Sequence, residues 1–142
     1  MTPPTRRDVL KVLVAASAVP LVPACGSGGP SGDIAAGNVS SVPVGTLEGI
    51  PGEAVILGRD PGGLYAMTAI CTHQGCNMES NGSINPQGIH CGCHGSAFDT
   101  NGNVVQGPAS APLTHFSVSV DAAGAITIHA SNPVSESQRT PA

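Results

Sequence analysis

Cysteine and histidine side chains are concentrated in two six-residue segments of this sequence. Residues 71–76 read CTHQGC and residues 91–96 read CGCHGS, and together they hold four of the chain's five cysteines. Residues of these types at this spacing permit three chemistries. The set could form a tetrahedral structural zinc site, its four cysteines could form disulfides that leave the histidines idle, or it could hold a two-iron, two-sulfur cluster with histidine ligands on one iron.

The composition of the chain excludes several other classes of function. The 142 residues are 40% hydrophobic and 10% charged, which suits one small domain and not a multidomain enzyme. Only 5 residues are Lys or Arg and only 2% are aromatic, so we expect no nucleic acid as a partner. Because no carboxylate pair, phosphate-binding glycine loop or Ser-His-Asp spacing stands out, we predict no catalytic residues.

Short β-strands are predicted to position the two segments, because 19 Gly and 13 Pro make turns frequent. Apolar runs at residues 53–57 and 64–70, joined by the turn-rich residues 58–63, predict a hairpin. Residues 116–120 and 125–129 alternate with period two and predict a second hairpin. We therefore expect an all-β fold of antiparallel strands, arranged as a sandwich or barrel.

The two segments resemble the cluster-binding motifs of the Rieske family, in the disulfide-bearing branch formed by the iron-sulfur subunits of cytochrome bc and b-f type complexes. Residues 107–113, which read GPASAPL, resemble the proline loop of that family, so the resemblance covers roughly residues 65–115. It implies the Rieske fold, an antiparallel β-sandwich in which two loops hold a 2Fe-2S cluster at one tip.

The resemblance also implies a role for each cysteine and histidine of the two segments. The expected iron ligands are two cysteines and two histidines, namely Cys71, His73, Cys91 and His94. The two cysteines would hold the inner iron and the two histidines the outer iron. Cys76 and Cys93 would form a disulfide, worth roughly 3 kcal/mol in the chain-entropy model.

Four further residues are expected to surround the cluster. Ser96 matches a family serine whose hydroxyl donates to a cluster sulfide. Phe98 stands where the high-potential branch usually has tyrosine, so one hydroxyl donor is missing and we expect a potential below the top of the family range. Gly107 and Pro108 begin the proline loop, which resembles a lid over the cluster.

Histidine ligands would change the redox chemistry of such a centre. Two neutral imidazoles in place of two thiolates remove negative charge and raise the potential, to about −150 to +300 mV against about −400 mV for all-cysteine plant-type clusters. With one ring nitrogen on iron, the other could titrate, so electron and proton uptake would be coupled. A quinol is therefore a suitable donor.

The N-terminal segment has the pattern of an export signal. Arg6 and Arg7 precede an uncharged run that ends before Cys25, which resembles a twin-arginine signal followed by a lipoprotein acylation site. An uncleaved anchor and ordinary cleavage beside Ala24 are the alternatives. We predict a signal at residues 1–24, a lipidation site and flexible linker at 25–37, a Rieske domain at 38–130, and a flexible tail at 131–142.

The resulting hypothesis is an exported, membrane-tethered electron-transfer protein, the iron-sulfur component of a quinol:cytochrome c reductase-like chain. Its expected partners are a quinol or redox-protein donor, a cytochrome-like acceptor, and the membrane through an N-terminal lipid or anchor. Its expected location is the extracytoplasmic face of a bacterial cytoplasmic membrane. The alternatives are the Rieske small subunit of a periplasmic molybdenum oxidase of the arsenite oxidase type, a non-redox zinc or disulfide-stabilised binding module, and, least favoured, a soluble dioxygenase ferredoxin.

Overall fold

The structure of the protein is a computed structural model that describes residues 29–142. This part of the chain contains ten β-strands and one short 3-10 helix, Val39–Ser41, and it has no α-helix. The strands are β1 (Asp33–Asn38), β2 (Leu47–Ile50), β3 (Val55–Asp60), β4 (Gly63–Thr68), β5 (Gly82–Asn85), β6 (Gly88–Cys91), β7 (Ala97–Phe98), β8 (Val104–Gln106), β9 (His115–Val120) and β10 (Ala125–Val134). The prediction of an all-β fold is confirmed.

The strands form two antiparallel sheets. The larger sheet has the order β1-β10-β9-β4-β3-β2, and the smaller sheet has the order β5-β6-β7-β8. In the larger sheet β4 pairs directly with β9, with Met67 opposite His115. The smaller sheet is therefore an insertion between two neighbouring strands of the larger one. Both cysteine-histidine segments and the proline-rich segment are connections that enter, cross or leave this insertion.

Both predicted hairpins are confirmed, and the first has a tighter turn than expected. β3 and β4 pair from Val55 opposite Thr68 to Asp60 opposite Gly63. The Asp60 side chain accepts a hydrogen bond from the Gly62 amide at 2.8 Å, which stabilises a short turn in place of the predicted connection 58–63. The second hairpin joins β9 to β10 through a turn at residues 121–124.

Two apolar cores support the sheets, and the second bears directly on the cysteines. The first core is built from strands of the larger sheet. The second core is shared by both sheets, because Ile56 and Met67 of the larger sheet pack with Phe98 of the smaller one. Cys71 and Cys91 belong to this second core and are 2% and 1% exposed. Packing between the sheets therefore fixes the first residue of each cysteine-histidine segment.

The predicted linker at residues 25–37 is wrong over its last five residues. Asp33–Asn38 is an edge strand, β1, paired with β10, and its alternate residues Ile34 and Ala36 are buried in the first core. The period-two pattern is present in the sequence. It is short and contains small side chains, so it gives a weaker signal than the other strands.

The predicted flexible tail at residues 131–142 is also wrong. Strand β10 extends to Val134, and Thr140 exchanges backbone hydrogen bonds with Leu64 at 2.8 Å. Arg139 forms an ion pair with Asp60 at 2.6 Å, and its guanidinium lies 4.1 Å from the centre of the Tyr65 ring. Burial acts to raise the pKa of Asp60, but the Arg139 side chain and the backbone amides of Gly62 and Gly63 together lower it overall. Contacts with residues distant in sequence therefore order this segment.

Two N-terminal predictions fall outside the described residues. These are the export signal at 1–24 and the lipidation site at Cys25. Across residues 29–142, no helix has both the length and the apolar character needed to cross a membrane.

Candidate metal centre

The two cysteine-histidine segments form loops with the same backbone hydrogen bonds. We call residues 71–76 the first loop and residues 91–96 the second loop. In the first, the Cys71 amide donates to the Cys76 carbonyl at 2.8 Å; in the second, the Cys91 amide donates to the Ser96 carbonyl at 2.7 Å. A glycine then donates back to the first cysteine of each loop, at 3.0 Å from Gly75 and 3.2 Å from Gly95.

Both glycines are required by the backbone. Gly75 has φ +76° and Gly95 has φ +85°, a left-handed conformation that side chains disfavour. Each loop is therefore a closed turn built around a glycine.

A disulfide between Cys76 and Cys93 joins the two loops, as the sequence resemblance implied. Their Cα atoms are 6.6 Å apart, and the two residues are 17 positions apart in the chain. Cys76 is half-buried and Cys93 is exposed. A bridge of this span stabilises the folded state by roughly 3 kcal/mol in the chain-entropy model. It also limits any movement of one loop relative to the other.

The other two loop cysteines, Cys71 and Cys91, are free and buried. Burial raises the pKa of the Cys71 thiol, the neighbouring Cys91 raises it further, and hydrogen bonds from the His73 amide and the Ser96 hydroxyl act in the opposite direction. Burial therefore disfavours ionisation of the Cys71 thiol, which lies next to Cys91. A metal ion beside them would reverse this preference, because a coordinating thiol loses its proton.

The two loop histidines lie close together. The ring centres of His73 and His94 are 4.9 Å apart and the ring planes are nearly perpendicular, at 84°. His73 is half-buried and His94 is exposed. The buried Nδ1 atom of His73 finds no hydrogen-bond partner among residues 29–142. Such an unpaired nitrogen is unfavourable unless a ligand satisfies it, and a metal ion would do so.

Three cysteine sulfur atoms in the described part of the chain lie close together without forming a metal site by themselves. The Sγ atoms of Cys76, Cys91 and Cys93 all lie within 4.8 Å of one another. Two of these sulfurs are bonded to each other and cannot act as thiolate ligands. The donors that remain in the two loops are two thiols and two imidazoles, namely Cys71, His73, Cys91 and His94.

Of the four residues expected around the cluster, two are buried and two are exposed. Ser96 is fully buried, and its oxygen accepts a hydrogen bond from the Ala109 amide at 2.9 Å, which leaves its own proton free to donate. Phe98 is 1% exposed and packs in the second core, so no hydroxyl is present at that position. Gly107 and Pro108 are exposed and joined by a cis peptide bond.

A third loop, residues 107–113, lies against both cysteine-histidine loops. The Thr72 hydroxyl donates to the Ala111 carbonyl at 2.7 Å, which fixes the first loop to the third. Gln106, the residue before the third loop, donates from its side-chain amide to the Gly95 carbonyl of the second loop at 2.8 Å. The sequence analysis did not select Thr72 or Gln106. Their only signal in the sequence is position, because Thr72 lies between Cys71 and His73 and Gln106 directly precedes the third loop.

The fold and the donor set together define a small antiparallel β domain that presents two cysteines and two histidines on paired loops. Residues 32–117 match the family model described as the Rieske [2Fe-2S] domain. The match covers more than half of the chain, which therefore belongs to the Rieske [2Fe-2S] family. Its cofactor is a Rieske-type 2Fe-2S cluster, and the two buried thiols and the unpaired buried imidazole nitrogen fit such a group.

Two curated relatives are iron-sulfur subunits of cytochrome b6-f complexes. The chain is 43% identical over 75 residues to the cytochrome b6-f complex iron-sulfur subunit of Synechococcus sp. strain CC9605, covering 53% of this chain and 41% of the relative. It is 46% identical over 77 residues to the same subunit of Trichodesmium erythraeum strain IMS101, covering 53% and 42%. The chain thus spans less than half the length of these relatives.

Solved structures support the fold alone, because their sequences are distant. The plasma membrane Rieske protein of Synechocystis PCC 6803 superposes with a TM-score of 0.50 at 23% identity, covering 67% of this chain and 97% of that protein. Naphthalene 1,2-dioxygenase with bound indole superposes with a TM-score of 0.55 at 20% identity, covering 70% and 26%. The same domain fold therefore occurs both alone and within a larger enzyme.

Proposed function

We propose that this protein transfers electrons through a 2Fe-2S cluster held by its two cysteine-histidine loops. One iron is bound by Cys71 and Cys91, and the other by His73 and His94. The observation that carries this assignment is the pairing of two free buried thiols with two imidazoles 4.9 Å apart, on loops that a disulfide joins. When bound, such a cluster accepts and returns single electrons.

The protein's own residues shift the reduction potential of the cluster in opposite directions. Neutral imidazoles on one iron lessen the negative charge that opposes an added electron, and the free proton of Ser96 supplies a donor toward sulfur. Phe98 lacks the hydroxyl that a tyrosine would bring. We therefore place the potential inside the Rieske range of about −150 to +300 mV and below its upper end.

The exposed surface of the loops suits a partner that docks without ion pairs. The three loops, residues 71–76, 91–96 and 107–113, contain no Asp, Glu, Lys or Arg. His94 is exposed, so one edge of its ring is available to a hydrogen-bonding donor molecule such as a quinol. The curated relatives belong to cytochrome b6-f complexes. These observations support a cytochrome b-type partner and a cytochrome-like acceptor.

Export and membrane attachment form part of the same proposal. A disulfide persists in an oxidising compartment, and the Cys76–Cys93 bridge is present. The sequence Arg6-Arg7 followed by an apolar run and Cys25 supports twin-arginine export and a lipid anchor on the extracytoplasmic face. Residues 1–24 would then be the signal, and the Rieske domain would begin near β1, after a shorter linker than first predicted.

Fractionation of the native host tests this function. The tagged full-length chain should remain in the membrane and co-purify with b-type haem, and the Cys25→Ala variant should be released while keeping its visible spectrum. Replacing both Arg6 and Arg7 by Lys should retain the chain in the cytoplasm. Co-purification with a molybdenum enzyme would support the arsenite oxidase-type alternative instead. A colourless protein that contains zinc would refute electron transfer altogether.

A further inference from the structure

The disulfide has a third sulfur beside it. The Sγ atom of Cys91 lies within 4.8 Å of both Cys76 Sγ and Cys93 Sγ, and Cys91 is a free cysteine. A thiol and a disulfide at this separation are the two reactants of thiol–disulfide exchange. The chain therefore holds both reactants of such an exchange within its own metal centre, and the exchange would need no external oxidant or reductant.

The surroundings favour attack on Cys76 over attack on Cys93. Attack on Cys93 would close a ring across a single residue, Gly92, which limits the geometry available to the bond. Gly92 cannot shift to relieve this, because its amide donates to the Asn81 carbonyl at 2.6 Å and a Cβ there would meet the same oxygen at 2.6 Å. Attack on Cys76 leaves this stretch of backbone unchanged.

The exposure of the sulfurs also favours the product of attack on Cys76. Cys91 is 1% exposed in the second core, whereas Cys93 is on the surface. The exchange buries a disulfide, which is less polar than a thiol, and places the released thiol of Cys93 in water. The new bridge still joins the two loops and shortens the closed segment by only two residues, so the change in loop entropy is small.

We propose that, when the chain is made without iron, Cys91 exchanges into the disulfide and traps the protein as a Cys76–Cys91 form that cannot bind the cluster. The Cys91 sulfur attacks Cys76 Sγ, the Cys76–Cys93 bond breaks, and its electron pair leaves on Cys93 Sγ. The proton lost from Cys91 ends on Cys93, so there is no net oxidation.

The consequence rests on the proposed role of Cys91 as an iron ligand. Iron bound to the Cys91 sulfur would prevent that sulfur from attacking the disulfide. The cluster would therefore protect the Cys76–Cys93 bridge from exchange. The cluster must then enter before the disulfide closes, or together with it. This order is consistent with the proposed export of a folded protein.

Disulfide mapping of the full-length chain tests the proposal. The chain is produced with ample iron and sulfide and, separately, under iron starvation; both samples are oxidised in air, quenched with acid, alkylated and mapped by tandem mass spectrometry. We expect Cys76–Cys93 in the iron-replete protein. In the starved protein we expect Cys76–Cys91 as the major bridge, with Cys93 alkylated.

Two variants test whether the exchange needs the Cys91 sulfur and whether bound iron prevents it. Cys91→Ser should keep the Cys76–Cys93 bridge under both conditions. Cys71→Ser, the matched control, removes the other proposed cysteine ligand and should show the exchanged bridge even with ample iron. A starved wild-type chain that holds only Cys76–Cys93 would overturn the exchange and leave the ligand assignment intact. Exchange of equal extent in replete and starved wild-type protein would instead contradict iron binding by Cys91.

Discussion

The two cysteine-histidine loops have the same pattern of backbone hydrogen bonds but different surroundings. Both close through the same pair of hydrogen bonds around a left-handed glycine. The first loop ends in Cys76, a partner in the disulfide, and is fixed to the third loop through Thr72. The second loop ends in Ser96, whose fully buried hydroxyl lies beside Cys71. The equivalent last position thus joins the loops through a disulfide in the first loop, and in the second it holds a buried hydroxyl that we propose adjusts the potential of the centre.

The largest expected effect comes from separating the loops. Replacing both Cys76 and Cys93 by Ser removes the bridge, and we expect the free energy of unfolding to fall by about 3 kcal/mol. Denaturant unfolding, followed by the visible bands of the cluster, measures this loss. Cys25→Ser removes a cysteine outside the described domain and should leave the free energy of unfolding unchanged. An equal fall in the free energy of unfolding in both proteins would show that the bridge does not stabilise the loops.

The next largest effect is expected at Ser96, the last residue of the second loop. Ser96→Ala leaves the buried Ala109 amide without its acceptor, which costs about 1–3 kcal/mol of stability. It also removes a donor toward sulfur worth about 1 kcal/mol, so the midpoint potential should fall by about 40 mV for one electron. Redox titration measures the shift. Ser110→Ala, at an exposed serine of the third loop, should leave the potential unchanged, and a matching fall there would remove the special role of Ser96.

Substitution of Gly75 and Gly95 tests whether the two loops depend equally on a left-handed glycine. A Cβ at Gly75 or Gly95 meets no atom closer than 3.8 Å, so alanine fits in space and is disfavoured only by the positive φ. We expect Gly75→Ala and Gly95→Ala each to lower stability by about 1–2 kcal/mol. Gly29→Ala, at an open position without positive φ, is the control. A clear loss of stability for one of the two substitutions and none for the other would show that the two loops are not equivalent.

A smaller effect is expected at Phe98, which follows the second loop in the chain and packs in the second core. Phe98→Tyr adds a buried hydroxyl that can donate toward the centre, and the potential should rise by less than the roughly 40 mV expected for Ser96. Phe116→Tyr places the same hydroxyl in the first core and serves as the control. If the potential of Phe98→Tyr stays equal to the wild type or falls, the tyrosine-position assignment is wrong.

The smallest effect at neutral pH comes from His115, which lies outside both loops. His115 is 3% exposed, and burial lowers its pKa below the ordinary value of 6.5. The unfolded chain therefore binds a proton first, so stability should fall as the pH drops below 6.5, by at most about 1.4 kcal/mol per pH unit, until the folded pKa is reached. Stability measured against pH for wild type and His115→Gln tests this. If both slopes are identical, the acid response arises elsewhere.

Local patterns predicted the strands of the two hairpins, β3, β4, β9 and β10, whereas the other strands and the order of the C-terminal segment depend on contacts that the sequence does not show. The alternation in Phe116–Val120 is a property of neighbouring residues, and its hairpin was predicted correctly. The order of residues 131–142 depends instead on Arg139 meeting Asp60, 79 positions away. Likewise, the motifs indicated the disulfide, whereas the ties made by Thr72 and Gln106 depend on how the loops come together.

The central claim is that two sulfur and two nitrogen side chains of these loops hold the cluster. Electron–nuclear double resonance of the reduced full-length protein, labelled with ¹⁵N-histidine, measures it directly. The account predicts coupling from two distinct histidine nitrogens, one of which is lost in His73→Gln and the other in His94→Gln. An iron-containing protein with no histidine coupling, or one whose couplings persist unchanged in both variants, would contradict it.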